Sequence, residues 1–422
     1  MGSRVTLHRF MQGISQEPTT RSFRVSSVFV CSVVLPYFPC GCDSPAAVFP
    51  GGATHLSGIA VTCAVVRVQS GDARRVELKL GRHKGSTPGA RQRYAAVMDG
   101  IISAWGRILR GYRPALSIEI TRECPLRCPG CYAYGDEHLG GGVTLREVSD
   151  FKGDELVHRF FDLIEKHKPL HVSIIGGEPL VRYRELGRIL PQLAERGIYT
   201  QVVTSAVRPI PVEWAGLRRL QIVVSIDGLQ PEHDARRTPA TYNRILKHIE
   251  GHQITVHCTI TRQQVRREGY IEEFVDLWSR NPNVRQIWMS LYTPQVGEVS
   301  EEKLTPADRE RVVAALMLLR HRYPKLRMPE GLIRVYETPP DSPDECIFAQ
   351  TTTCVSADFE KQISPCQFGG SPDCSNCGCI ASAALKAVGR HRLAIGVPVG
   401  AIFERSVRVG HAVRRIRERA SA

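Results

Sequence analysis

From Pro114 to Arg322 the sequence alternates six times between a short strand-like run and a helical stretch, and that alternation restricts the fold more than any other feature. The strand-like runs are Leu116–Thr121, His171–Ile175, Thr200–Thr204, Leu220–Ile226, Ile254–Thr261 and Arg285–Tyr292. Asp154–Lys166, Tyr183–Arg196, Thr241–Ile249, Tyr270–Trp278 and Pro306–Arg322 read as helices between or after them. In the first of these helices Leu156, Phe160, Leu163 and Ile164 share one face, the spacing of a stripe that packs on a sheet. Repeated strand–helix–strand units make right-handed crossovers and a parallel sheet. Six units are too few for a closed eight-stranded barrel. They leave an open three-quarter barrel or a doubly wound sheet.

The strands also alternate in polarity. Leu116, Ile118 and Ile120 oppose Ser117, Glu119 and Thr121. Ile222, Val224 and Ile226 oppose Gln221, Ser225 and Asp227, and Ile254, Val256, Cys258 and Ile260 oppose Thr255, His257, Thr259 and Thr261. Parallel strands covered on both faces by helices are apolar on both. Here one face is polar, so it is expected to line a ligand-filled cavity, or else to be solvated. Glu119, Ser173, Asp227, His257, Thr259, Ser290 and Tyr292 are the candidate lining; Cys258, on the apolar face, reads as packing.

Of the 14 cysteines, three lie at 124, 128 and 131 and six at 346, 354, 366, 374, 377 and 379. Clusters at such spacing in a long chain point to metal in a reducing compartment, and the cytoplasm is the expected location. The triplet follows the first strand as Cys124-Pro-Leu-Arg-Cys128-Pro-Gly-Cys131-Tyr132. A structural zinc site wants four protein ligands. Three thiolates with an open position suit an iron–sulfur cluster whose fourth iron binds something else.

This C-x3-C-x2-C run with its aromatic resembles the signature of the radical S-adenosylmethionine (SAM) superfamily. Gly176-Gly177-Glu178-Pro179, ending the second strand, resembles that family's GGEP element, and Ser225-Ile-Asp227 at the end of the fourth is also typical of it. The resemblance covers about residues 114–325. It implies a partial (βα)6 TIM-type barrel over residues 98–330. It further implies a 4Fe–4S cluster on Cys124, Cys128 and Cys131, and SAM held by Tyr132, the Gly176–Pro179 loop, Ser205, Ser225 and Arg262. Glu178 and its loop would receive the methionyl ammonium. The implied activity is reductive cleavage of SAM to a 5′-deoxyadenosyl radical that abstracts hydrogen from a peptide, a lipid precursor or a small metabolite. A flavodoxin or ferredoxin would donate the electron. One departure is Val203-Thr204-Ser205-Ala206, where many relatives have Thr-Asn-Gly.

Residues 331–385 form a small Cys-rich extension. Cys354 and Cys366 flank an expected hairpin turning near Asp358 to Lys361, which resembles the SPASM or twitch extension of that family. The likeness implies an auxiliary 4Fe–4S cluster drawing on Cys346, Cys354, Cys366, Cys374, Cys377 and Cys379. A zinc knuckle is the alternative there, and a non-catalytic zinc or iron–sulfur binding protein is the alternative for the whole chain.

The net charge of +14 is concentrated at the ends: 12 Lys/Arg against 4 Asp/Glu in residues 1–97, and 9 against 2 in residues 386–422. The body between holds 35 against 36, which argues against a nucleic-acid groove across it. Residues 1–97 lack sustained periodicity and read as a disordered extension, or as sequence upstream of a start at Met98. No run reaches about 18 uninterrupted apolar residues, the length of a membrane span. In the tail, Ile402, Val409, Val413 and Ile416 fall on one helical face among arginines. That pattern fits either a helix packed on its own domain or peripheral contact with an anionic membrane.

Overall fold

The computed structural model describes residues 103–239, 241–392 and 396–421. The expectations for residues 1–97 and for a start at Met98 lie outside the described residues.

Among the described residues, seven strands form one sheet in the order β6-β5-β4-β3-β2-β1-β7, every pair parallel. They are β1 (Ala115–Glu119), β2 (His171–Ile175), β3 (Tyr199–Thr204), β4 (Leu220–Ser225), β5 (Ile254–Ile260), β6 (Val284–Leu291) and β7 (Thr352–Val355). From β1 to β6 the spatial order follows the sequence without reversal. Right-handed crossovers then put every helix on the same face, which is barrel winding; a doubly wound sheet reverses at a switch point. The fold is α/β, a partial TIM-type barrel, and six of its strands sit where the alternation placed them. The seventh was not expected.

β7 is Thr352-Thr353-Cys354-Val355, buried throughout, and it adds to the free edge of β1 with Ser117 opposite Cys354. The expected hairpin exists, with Val355 bridging Gln362 and the Ile363 N–H donating to the Cys354 carbonyl at 2.9 Å. Its first arm, however, belongs to the main sheet. Thr352–Val355 of the Cys-rich region is therefore part of the barrel sheet.

The apolar strand faces and the helices share one core, in which Leu116, Ile118, Val172, Ile174, Val202, Val224, Val256 and Cys258 meet Leu156, Phe160, Leu186, Phe274 and Trp278. The Gly153–His167 helix buries Leu156, Phe160, Leu163 and Ile164 as its spacing requires, and Val157 besides. Each such side chain contributes about 1.5–3 kcal/mol of transfer free energy. Asp154 and Glu155 in its first turn, and Lys166 and His167 in its last, complement the helix dipole.

The tail forms the Val399–Ser421 helix, but it packs by a different face from the expected one. Val407 is buried, Phe403 meets Trp105 edge-on at 6.0 Å, and a Cβ on Gly410 would stand 2.1 Å from the Ile108 carbonyl. The bare Gly410 backbone lets this side approach the helical turns at 103–111. Val409, Val413 and Ile416 are left exposed at 51%, 36% and 69%. Among the described residues, no helix is long and apolar enough to cross a membrane.

Candidate active site at the C-terminal edge of the sheet

The three loop cysteines leave the end of β1, each partly buried. Leu126, 2% exposed, anchors the loop inward, and the Arg127 N–H donates to the Thr238 carbonyl at 2.6 Å. Burial pushes the Cys124 thiol up to about 12, and Glu178, Cys128 and Cys131 add to the effect. Cys128 is raised too, by burial first and then Cys131 and Asp227, against the pull of Arg237 and Arg236. The thiols thus sit close enough to sense one another.

Next to them lies the turn after β2. A Cβ on Gly177 would meet the Glu123 carbonyl oxygen at 2.2 Å, and one on Gly176 the Thr121 carbonyl oxygen at 2.9 Å. The close approach expected for these glycines is therefore to the backbone of the cysteine loop. Two hydrogen bonds lock the pair of loops: Gly177 N–H to Thr121 O and Glu178 N–H to Glu123 O, both 2.8 Å. Pro179 opens the short helix that follows.

Glu178 turns inward. Its carboxylate is fully buried and accepts from the Leu180 N–H (2.9 Å), the Ser205 N–H (2.8 Å) and the Thr204 hydroxyl. Burial raises its pKa while those donors oppose the shift. The carboxylate caps a short helix and ties the end of β2 to β3.

Across the sheet's end, Asp227 is 2% exposed and holds Arg237 at 2.8 Å and Arg236 at 3.0 Å, and it accepts from the Thr259 N–H at 3.1 Å. Burial pushes its carboxyl up, but the two guanidinium groups win and hold it well below the usual range. Arg237 also donates to the Ser205 hydroxyl at 3.0 Å. It is a half-buried cation beside Cys128 with no local signal in the sequence, because nothing marks one arginine of Asp-Ala-Arg-Arg as inward. Arg262, which was expected there, pairs instead with Asp308 at 3.3 Å and is 39% exposed. Ser225 is buried at the end of β4.

The candidate lining residues divide. His257 shares a 2.7 Å hydrogen bond with Ser290, and burial holds its pKa down to about 4, leaving it neutral at pH 7. Tyr292 donates to Glu298. Glu119 is fully buried, paired with His138 at 2.8 Å and accepting from Ser356 at 3.1 Å. It braces β1 against the loop beyond Cys131 and the segment beyond β7. His138 and Gln367, the latter accepting from Ser117 at 3.3 Å, complete that brace and had no local signal. The Tyr132 ring turns into the same region, 5.3 Å from Phe368 and 5.6 Å from His138.

Cys346, Cys366, Cys374, Cys377 and Cys379 line one cleft, partly open to solvent, together with Pro365 and Phe368. Cys354 is not in that lining; it is 2% exposed on β7, and its charged neighbours include Arg113, Glu119 and Cys379. Burial pushes Cys354 up to about 12 and Cys374 to about 11. A Cβ on Gly378 would meet the Leu291 carbonyl oxygen at 2.1 Å, so that glycine seats the last cysteines directly on the end of β6.

Among the described residues no three His, Cys, Asp or Glu side chains converge as the ligands of a single metal ion would. A cubic cluster asks for something else, one thiol per iron at separated corners, and the Cys124–Cys131 loop offers three thiols to it.

A parallel barrel edge carrying that loop, interlocked with a Gly-Gly-Glu-Pro turn, defines the class. Residues 118–261 match the model of the Radical SAM superfamily. Membership of that superfamily implies a 4Fe–4S cluster and SAM as cofactors. The chain is 28% identical over 131 residues to a probable GTP 3′,8-cyclase of Methanocella arvoryzae, covering 31% of this chain and 38% of that one. It is 30% identical over 123 residues to a PqqA peptide cyclase of Rhizobium meliloti, covering 28% and 30%. It thus spans about a third of the length of these curated relatives. Solved structures similar to it include Streptococcus suis SuiB bound to precursor peptide SuiA, at 17% identity and TM-score 0.47 over 72% of each chain. Another is anSMEcpe with bound AdoMet, at 18% identity and TM-score 0.44 over 60% of this chain and 75% of that one.

Proposed function

We propose that the chain is a radical SAM enzyme acting on a peptide. The observation that carries the reading is the interlock of the Cys124–Cys131 loop with the Gly176–Pro179 turn at the C-terminal edge of a polar-faced parallel sheet. Cys124, Cys128 and Cys131 would hold the cluster, and the turn would receive the ammonium of SAM. Arg237, oriented by Asp227 and Ser205, offers its guanidinium to a carboxylate, and Ser225 lies at the end of β4. When bound, cluster and SAM together supply an electron-driven cleavage that yields a 5′-deoxyadenosyl radical able to take hydrogen from a substrate. The segment after β7, braced on Glu119 and Ser117, covers the polar face and would keep water from it. Peptide is favoured over a lipid precursor or small metabolite because several relatives are named PqqA peptide cyclase.

The six later cysteines are read as an auxiliary 4Fe–4S site, and a flavodoxin or ferredoxin as the electron donor. The exposed Val409, Val413 and Ile416, flanked by exposed Arg405, Arg408 and Arg415, suit an anionic membrane surface, since apolar burial and charge attraction act together there.

The test is anaerobic reconstitution with iron and sulfide, then dithionite and SAM. Formation of 5′-deoxyadenosine by the wild type, and none by a Cys124→Ala/Cys128→Ala/Cys131→Ala variant, is expected. A colourless zinc protein, or turnover by the triple variant, overturns the reading in favour of a non-catalytic metal-binding protein.

A further inference from the structure

Two arginines lie beside the second cysteine group, and among the described residues neither is in ion-pair contact with a carboxylate. Arg309, on the Pro306–Arg322 helix, is 8% exposed. Its guanidinium donates to the carbonyls of Tyr336 (3.0 Å), Cys377 (3.2 Å) and Asn376 (2.7 Å). Three main-chain acceptors satisfy its hydrogen bonds but supply no negative charge. The nearby acid, Asp373, faces Lys303 at 3.6 Å and accepts from Ser375 and Asn376. Arg113 donates to the carbonyl of Thr352, two residues before Cys354, at 3.0 Å, and its Nε is buried without a hydrogen-bond partner. The groups that bear on its charge are Arg414, a like charge, and Cys354. Glu119, the acid near Cys354, is already paired with His138.

A buried guanidinium is costly unless an anion lies near it. Around neutral thiols this arrangement is uphill; around a metal–thiolate centre, whose net charge is negative, it is not. We propose that Arg113 and Arg309 are the built-in counter-charge of an anionic metal–thiolate centre on the second cysteine group, and that Arg309 sets that centre's reduction potential. The inference rests on the auxiliary-cluster reading above. A reduced cluster carries one more negative charge than an oxidised one, so a nearby cation favours reduction and raises the potential. Arg309 also holds the Asn376–Cys377 backbone, a positioning effect that a merely structural residue would share. The charge effect is what distinguishes it.

The experiment uses the full chain with Cys124, Cys128 and Cys131 replaced by Ala, so that only the second site reports. After reconstitution, iron and zinc are measured and the site is titrated with dithionite under spectroscopic observation. Arg309→Gln removes the charge and keeps donors; Arg309→Lys keeps the charge and loses the planar fork. The Gln variant is expected to bind iron and to become harder to reduce by at least tenfold in the equilibrium constant, about 59 mV for a one-electron couple. The Lys variant should stay near the parent. A Gln variant with full iron and the parent's potential overturns the inference, as does loss of iron from both variants alike, which would make Arg309 a scaffold only. A parent holding zinc or no metal at the second site overturns the auxiliary-cluster reading and this inference with it, and metal analysis shows that before any titration.

Discussion

Gly177→Ala isolates the feature on which the proposed site depends. The new Cβ would lie 2.2 Å from the Glu123 carbonyl oxygen, 2.7 Å from its carbon and 2.7 Å from the Tyr134 hydroxyl. An ordinary contact needs about 3.5 Å, so one loop must move by roughly 1 Å. Neither neighbour is a flexible side-chain end: the nearest atoms are backbone, and the Tyr134 hydroxyl is fixed to the Arg122 carbonyl at 2.9 Å. Overpacking of this kind costs about 1–3 kcal/mol. Weakening the Gly177–Thr121 and Glu178–Glu123 hydrogen bonds adds about 1 kcal/mol each, for a total of about 3–5 kcal/mol. Because Glu123 directly precedes Cys124, the displacement passes straight to the first thiol. The assay pairs urea denaturation with iron analysis after reconstitution. Gly177→Ala should lower the unfolding midpoint and lose the loop cluster, about four irons per chain, while keeping the iron of the second site. Gly187→Ala, inside the Tyr183–Glu195 helix with nothing within 4 Å, is the control and should be neutral or stabilising by about 0.5–1 kcal/mol. Wild-type stability and iron in Gly177→Ala would refute the interlock as the basis of the site.

Replacing Cys354, Cys366, Cys374 and Cys377 together by Ala should remove about four irons and spare the first cluster; unchanged iron with one zinc lost would refute an auxiliary cluster. The metal-free chain should lose stability as pH rises above about 9: burial holds Cys124 and Cys354 up to about 12 and Cys374 up to about 11, so these thiols stay protonated in the folded chain while those of the unfolded chain ionise. A urea midpoint that rises from pH 8 to pH 10 would contradict this, and iron loading should abolish the loss because the ligands are then thiolates. Val413→Asp/Ile416→Asp should weaken sedimentation with phosphatidylserine vesicles by tenfold or more, each side chain contributing about 1.5–3 kcal/mol when buried. Equal binding by this variant and the wild type would exclude the tail as a membrane contact.

The strands were legible because they recur in regular alternation with helical stretches, and β1, β4 and β5 also alternate in polarity. The cysteine triplet and the Gly-Gly-Glu-Pro turn were legible as residues, but their relation was not. That the glycines serve loop-on-loop packing, and that Glu178 turns inward to the start of the segment after β3, depends on a contact between chain positions 54 and 27 residues apart. β7 was hidden for another reason. Thr351-Thr352-Thr353-Cys354-Val355 carries a β-branched signal, but the two cysteines flanking a turn read more naturally as a free hairpin. The tail was misread by counting apolar residues: its packed face is set by Gly410, whose contribution is the absence of a side chain.

β7 also changes what the two cysteine groups are to each other. In a six-stranded barrel with an appended module, the groups would be joined by a flexible boundary. Here β1 carries both: the Cys124–Cys131 loop leaves its end, and Cys354 lies on the strand paired to its edge, with Ser117 opposite. Glu119, the last residue of β1, reaches His138 beyond one group and Ser356 beyond the start of the other. His138 in turn bonds the Phe368 carbonyl, and a Cβ on Gly369 would stand 1.9 Å from the His138 carbonyl oxygen, so the chain after Cys366 sits directly on the chain after Cys131. A buried carboxylate–imidazole pair with both partners fully enclosed is strongly destabilised by removing one member, typically by 3–5 kcal/mol. The separation of the two groups is therefore fixed by one strand and one buried pair, and neither group can shift without straining the other.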